Sequence, residues 1–280
     1  MIRAKIDVQR FPYKKLDLSY SSRSSSCLLD IFYPNDQDIF PCVLCIHGGA
    51  FKKGDKRNGD MIEPMLHGLD RGIAVIGINY RLSPEAAFPA AIEDVKDAIL
   101  YIKSNAEMLR IDPEKMVVWG QSAGGYLSIM SALLSNLPFI SNEQDLRIRG
   151  AIAWFPPVNF ATMNEQLREN HLFTGKHDHD RADSPESLFM GYCIGDHPEK
   201  VQTANPENYI YEGMCPLLIQ HGRKDQVVPY QQSFHFYEKM KNTKNDIYYE
   251  IVEDADHGDL LFERSENIQI VFQFIENCLK

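Results

Sequence analysis

Ten residues, Met116-Val117-Val118-Trp119-Gly120-Gln121-Ser122-Ala123-Gly124-Gly125, limit the possible folds more than any other stretch of the chain. An apolar run of the length of a buried strand meets a serine flanked by glycine and alanine, and the residues from Tyr126 to about Ser135 read as a helix. A serine on a tight turn between a strand and a helix sits in strained backbone, where side chains larger than those of Gly or Ala would collide. The Gly-x-Ser-x-Gly spacing therefore predicts an exposed Ser122 hydroxyl, a candidate nucleophile. Gly and Ser also cluster in ordinary turns, so the assignment depends on whether the chain supplies a base, an acid and donors for an oxyanion.

The segments around this stretch alternate between strand-like and helix-like patterns. Lys15 to Tyr20 and Cys27 to Tyr33, joined by the serine-rich Ser21 to Ser26, read as an antiparallel hairpin closed by Pro34-Asn35-Asp36. Val43-Leu44-Cys45-Ile46 is a short continuous apolar run, as expected of a strand buried on both faces, and it stops at His47-Gly48-Gly49-Ala50-Phe51. Met61, Ile62, Met65, Leu66 and Leu69 predict a helix from Asn58 to about Arg71, stopped by Gly72 before a strand from Ile73 to Asn79. Ile92, Val95, Ile99 and Ile102 predict the next helix, and Asp112-Pro113 a turn into the strand Met116 to Trp119. Ala151 to Phe155, Leu217 to Ile219 and Ile247 to Val252 read as further strands, with helices around Gln231 to Met240 and over Ile268 to Leu279. Between them, Val158 to about Asn208 is long, polar and only weakly periodic, and reads as an inserted lid. The alternation predicts an α/β fold with a mostly parallel central sheet and helices on both faces, a single domain over residues 1–280 with the lid insertion at about 158–208.

The formal charge of −10 argues against a nucleic-acid partner, because neutralising phosphates needs clustered Lys and Arg. Charges at Arg3, Lys5, Asp7 and Arg10 interrupt any signal-peptide core, and no later stretch has the length of a membrane span; a soluble, cytoplasmic protein with no membrane partner is expected. The six cysteines are scattered, which suits reduced structural thiols better than a disulfide framework. Cys42 and Cys45 have Cys-x-x-Cys spacing, but with Val43-Leu44 between them and no second pair they read as strand.

In such a sheet the chemistry gathers after the carboxyl ends of the strands. Four loops qualify: His47-Gly48-Gly49-Ala50, the turn at Ser122, His221-Gly222-Arg223-Lys224-Asp225, and Asp254, Asp256 and His257. A serine hydroxyl is a poor nucleophile at pH 7 and needs a base that titrates near neutrality. His257 is placed to take its proton through one ring nitrogen while Asp225 fixes the tautomer through the other, and the N–H groups of Gly49, Ala50 and Ala123 are candidate oxyanion donors.

These residues, together with Asn79-Tyr80-Arg81-Leu82-Ser83-Pro84, Phe88-Pro89 with Glu93-Asp94-Val95, Ser184-Pro185-Glu186-Ser187, His221 to Pro229 and Asp256-His257-Gly258, resemble the α/β-hydrolase superfamily over nearly the whole chain. Within it the chain is similar to the esterase branch that includes bacterial acetyl and feruloyl esterase-like proteins, near the hormone-sensitive-lipase-like esterases. The resemblance implies nucleophile Ser122, acid Asp225, base His257, an oxyanion hole at Gly49, Ala50 and Ala123, and a small-molecule ester substrate with no cofactor. The family often has Trp where Phe51 stands, and lipase-like relatives a third Gly where Ala50 stands; Ala50 keeps its N–H. A prolyl-oligopeptidase-like peptidase and an aryl formamidase use the same machinery, and an inactive hydrolase-fold binding protein is the non-enzymatic alternative. The acyl group, the ester-versus-amide preference and the oligomeric state are open at this level.

Rival readings remain for several residues. Asp254 and Asp256 compete with Asp225, although near neighbours on one loop rarely point at each other correctly, and His221 and His235 compete with His257. His221 is expected to support the Asp225 loop and His47 to order the oxyanion loop. His177-Asp178-His179-Asp180 offers metal-ligand types, but alternate residues of a loop do not fix a tetrahedron, and an exposed polar loop without metal is the reading taken. Trp154 and Phe155 are read equally as pocket lining or as buried packing.

Overall fold

A computed structural model describes residues 4–140 and 145–280. Its strands are β1 (Lys14–Ser19), β2 (Leu28–Phe32), β3 (Phe40–Ile46), β4 (Ala74–Ile78), β5 (Ile111–Gln121), β6 (Gly150–Trp154), β7 (Leu217–Gly222) and β8 (Ile247–Val252). The helices are α1 (Gly59–Leu66), α2 (Ala90–Ser104), α3 (Ala106–Leu109), α4 (Ala123–Leu133), α5 (Met163–Glu169), α6 (Pro185–Met190), α7 (Pro198–Val201), α8 (Gln231–Lys241) and α9 (Ser265–Cys278). The strands form one sheet in the order β1-β2-β4-β3-β5-β6-β7-β8. β1 and β2 form the expected hairpin, β2 runs antiparallel to β4, and every pair from β4 to β8 is parallel.

The continuous apolar runs follow from burial on both faces. Along β3, Cys42, Leu44 and Ile46 join the core shared with α2 and α4, while Val43 and Cys45 join the core shared with α1 and α9. Successive strand side chains alternate faces, so Cys42 and Cys45 lie on opposite sides of the sheet and the Cys-x-x-Cys spacing brings no two ligands together. All six cysteines are free thiols. No helix among the described residues is long and apolar enough to cross a membrane.

Two boundaries differ from expectation. The helix expected to reach Arg71 stops at Leu66, and a short 3₁₀ turn, Leu69–Arg71, precedes Gly72, whose φ of 73° ends the segment. Pro64 and Gly68 lie in this run and weaken its last turns. β5 begins before Asp112-Pro113: Phe40 pairs with Ile111 and Cys42 with Met116, so residues 112–115 bulge out of a strand that continues on both sides.

Residues 158–208 are not an open polar loop. They fold into short helices and turns whose Val158, Phe160, Met163, Phe189, Met190, Ile194, Val201 and Ala204 are buried in the core shared with α4. Tyr126 Oη donates to the Ala204 carbonyl at 2.7 Å across this contact. The apolar residues are spread over turns too short to print a helical period, which is why the segment read as polar.

Candidate active site

The parallel register sets the carboxyl ends of β3, β5, β6, β7 and β8 side by side, Ile46 beside Gly120 and Gln121 beside Trp154. Each loop singled out in the sequence leaves from this edge. Ser122 stands between β5 and α4 with φ 54° and ψ −121°, a conformation that costs a non-glycine residue of order 1–3 kcal/mol unless its surroundings hold it. They do: the Ser122 N–H donates to the Trp154 carbonyl at 2.9 Å. The flanking glycines have a steric reason. A Cβ on Gly120 would lie 2.0 Å from the Gly124 carbonyl oxygen, and one on Gly124 would lie 2.1 Å from that of Ile46.

Ser122 Oγ is 2.9 Å from His257 Nε2, and His257 Nδ1 is 2.7 Å from Asp225 Oδ2. Asp225 is fully buried and His257 18% exposed at its side chain. Asp225 Oδ1 accepts the N–H groups of Val227 and Val228 at 2.9 and 2.8 Å. Burial alone would raise the Asp225 pKa, but the neighbouring His257 and His221 outweigh it and hold the carboxyl well below its usual range. His221 supports this loop as expected. Its Nε2 donates to the Val228 carbonyl at 2.9 Å and faces Asp225 Oδ2 at 3.3 Å, and Nδ1 accepts from the Ser233 hydroxyl at 2.6 Å.

The rival carboxylates have other partners. Asp254 is exposed and pairs with Lys224. Asp256 Oδ1 accepts the N–H groups of His257 and Gln226, and Oδ2 accepts from the Gln226 side chain, so it joins the two loops through backbone instead of touching the imidazole. His235 lies away from Ser122, against Gln166 on α5. Phe155 packs its ring against that of His257 with centroids 4.8 Å apart, and both Phe155 and Trp154 are buried packing.

The loop after β3 is strained over three residues: Gly49, Ala50 and Phe51 have φ of 120°, 56° and 58°. A Cβ on Gly49 would lie 1.9 Å from the Lys53 carbonyl oxygen. The Gly49 carbonyl accepts from Lys52 and Lys53, Ser83 donates to the Phe51 carbonyl, and Tyr80 Oη donates to the His47 carbonyl at 3.0 Å. His47 donates from Nδ1 to the Gly48 carbonyl at 2.7 Å and stacks on Tyr80. Burial pushes its pKa down to about 4, so it is a neutral structural ring. Phe51 is buried and stacks on Phe189 with centroids 4.1 Å apart, which ties this loop to α6.

Ser122, Ala50 and Ala123 line one cavity of about 440 Å³, together with Phe51, Pro157, His177, Glu186 and Val227 among others. Ala123 opens α4, and the first N–H groups of a helix have no partner inside it. Gly49 lines a neighbouring cleft with Gly48, Lys53 and Gly54. His179, expected on an exposed loop, is 3% exposed: Nδ1 meets Glu186 Oε2 and Nε2 meets the Val227 carbonyl, each at 2.9 Å. The Ser184-Pro185-Glu186 run carried a readable signal for this, since a Ser N-cap followed by Pro starts a helix and places Glu186 in its first turn. Among the described residues no group of three or more His, Cys, Asp or Glu is arranged to hold a metal ion.

The BD-FAE family model matches residues 29–240. The probable carboxylic ester hydrolase LipM of Mycobacterium tuberculosis is 28% identical over 253 residues, 88% of this chain and 56% of LipM. The carboxylesterase NlhH of Mycobacterium tuberculosis is 34% identical over 187 residues, 66% of this chain and 56% of NlhH. The chain thus matches little more than half the length of these relatives. A solved structure described as a truncated form of carbohydrate esterase from gut microbiota superposes with a TM-score of 0.80 at 25% identity, covering 98% of this chain and 99% of that one.

Proposed function

The chain belongs to the BD-FAE family, and we propose that it is a serine hydrolase that cleaves carboxylic esters through an acyl-enzyme. The observation that carries this reading is the chain of hydrogen bonds Ser122 Oγ, His257 Nε2, His257 Nδ1, Asp225 Oδ2, starting at a strained serine on the wall of a cavity. In this reading Ser122 attacks the ester carbonyl while His257 takes its proton, and Asp225 keeps the second ring nitrogen protonated and stabilises the imidazolium that forms. The tetrahedral oxyanion is held by the N–H groups of Gly49, Ala50 and Ala123, from the loop after β3 and the first turn of α4. His257 then returns the proton to the leaving alcohol, and water repeats the cycle on the acyl-enzyme.

The cavity wall supports a small acyl group on a hydroxyl-rich alcohol. Lys52, Lys176, His177, Asp178, Arg181 and Asp183 line it beside the apolar Phe51, Pro157, Val227 and Val228, so donors and acceptors for an alcohol rich in hydroxyls stand next to a limited apolar surface for the acyl group, whereas a long acyl chain needs a mostly apolar channel. The solved neighbour described as a carbohydrate esterase points the same way, and acetylated or feruloylated carbohydrates are the substrates proposed. The 158–208 segment, which supplies much of this wall, is proposed to set that preference. Kinetics on p-nitrophenyl acetate, butyrate and octanoate beside an acetylated xylo-oligosaccharide test the reading. We expect kcat/KM to fall steeply beyond butyrate and acetate to be released from the sugar; equal rates along the series, or no ester turnover at all, would overturn it.

A further inference from the structure

We propose that His179 and Glu186 are positioning residues: they clamp the loop that carries Asp225 to the segment walling the cavity, and the clamp is complete only while the His179 ring carries two protons. Its kinetic consequence rests on the ester-hydrolase reading; its geometry does not. A carboxylate and a carbonyl oxygen only accept hydrogen bonds. His179 faces one of each at 2.9 Å, Glu186 Oε2 from Nδ1 and the Val227 oxygen from Nε2, so both contacts are hydrogen bonds only if both ring nitrogens donate. A ring that donates twice is an imidazolium. The two side chains are 3% and 5% exposed, and a charged pair so buried persists because each member is paired and hydrogen-bonded.

The position of Val227 gives the clamp its reach. The Val227 N–H holds Asp225 Oδ1 at 2.9 Å, and the carbonyl of the same residue is the His179 acceptor. From the other side, the His179 N–H donates to Asn164 Oδ1 on α5 at 3.0 Å, and Glu186 sits in the first turn of α6, whose Ser184 cap accepts from Ser187 at 3.0 Å. His179 therefore joins three elements, α5 through its backbone N–H and α6 and the Asp225 loop through its ring.

The charged and titratable groups around it are Glu186 from α6, Lys176, His177, Asp178, Asp180 and Arg181 along its own loop, and Asp225 behind Val227, with His257 and His221 beyond. Burial by itself lowers the imidazole pKa, but the Glu186 carboxylate outweighs it, helped by the Val227 carbonyl and Asp180, so His179 titrates above its usual 6.5. His177, two residues away, is pushed the opposite way by burial and by Lys176. When His179 loses its proton, one of its two acceptors faces a lone pair, and that link opens. Because the folded pKa is raised, the clamp is whole below 6.5 and is lost as the pH rises through the folded value. The expected signature is an alkaline limb in kcat that belongs to neither Ser122 nor His257.

Nitrogen NMR of the intact protein labelled with ¹⁵N-histidine, with His179 assigned through ring-to-backbone correlations, reads the ring without substrate. We expect both nitrogens protonated at pH 6 and one proton released above pH 6.5; a neutral ring with a single tautomer at pH 6 overturns the clamp, whether or not the chain hydrolyses esters. The kinetic arm compares wild type with Glu186→Gln, whose amide oxygen still accepts from Nδ1 but carries no charge. The alkaline limb of kcat is expected to move down by at least about one pH unit, with KM changed by less than about threefold. A kcat lowered by the same factor at every pH, with the limb unmoved, is the behaviour of a merely structural pair and overturns the proposal. If no form of the protein turns over esters, the spectra alone decide.

Discussion

Asp225→Asn is the substitution whose outcome follows most fully from the geometry. The new side chain has one acceptor and one NH₂ where the carboxylate had two acceptors. Oδ1 of Asp225 receives two backbone N–H groups, from Val227 and Val228, so the amide oxygen stays there; turning it over would set NH₂ against both donors and forfeit two hydrogen bonds. The NH₂ group then faces His257 Nδ1, 2.7 Å away in the native site, and His221 Nε2 at 3.3 Å. A nitrogen that receives a donor cannot carry its own proton, so His257 is held as the tautomer protonated on Nε2, facing Ser122 with nothing to accept its hydroxyl proton. A wrong tautomer in an otherwise intact triad costs on the order of 10⁴ in kcat, about 5 kcal/mol of transition-state stabilisation. The assay is steady-state hydrolysis of p-nitrophenyl acetate at pH 7.5, with circular dichroism to establish that the variant is folded. Activity within about tenfold of wild type in a folded Asp225→Asn protein would refute the role given to Asp225, doubly so if Asp256→Asn were the more damaging change.

Other outcomes follow from the same contacts. Asp256→Asn keeps an oxygen for the N–H groups of Gln226 and His257, and its kcat on the same ester should stay within about tenfold of wild type. Gly124→Ala puts a Cβ 2.1 Å from the Ile46 carbonyl oxygen; urea unfolding should show a loss of about 1–3 kcal/mol, and kcat should fall at least about 10²-fold as the serine turn shifts. His47 is fully buried with its pKa pushed down to about 4, so between pH 6.5 and 4 the unfolded chain binds a proton that the folded one refuses. Stability should drop on acidification by as much as about 3 kcal/mol from this ring alone. Denaturation at pH 7, 5.5 and 4 should show a shallower decline in His47→Gln, and parallel curves for the two proteins would contradict the assignment.

The sequence revealed most where the chemistry repeats a local pattern. Buried parallel strands print continuous apolar runs, and the steric limits at Gly120 and Gly124 leave small residues around Ser122, so β3 to β7 and the serine turn were readable before any coordinates. Each candidate residue after a strand end was found because a parallel sheet gathers those ends on one edge. What could not be read depends on contacts between distant segments. Gly49, Ala50 and Phe51 all take positive φ, and the contacts that hold this loop come from Tyr80, Ser83 and Phe189, far along the chain. Asp256 stood beside His257 in sequence, and only the fold shows its oxygens engaged by backbone N–H groups. His179 looked like a loop residue because its burial comes from α6 and from Val227, 48 positions along the chain, and no local periodicity encodes a partner so far away.

Acylation of Ser122 tests the central claim most directly. Incubation with a fluorophosphonate probe, followed by peptide mass spectrometry, is expected to give one adduct per chain, located on the peptide containing Gly120-Gln121-Ser122, and none in Ser122→Ala. Turnover of p-nitrophenyl acetate should disappear in step with labelling. An unlabelled wild-type protein, label on another residue, or a Ser122→Ala protein that hydrolyses the ester as fast as wild type would contradict the account.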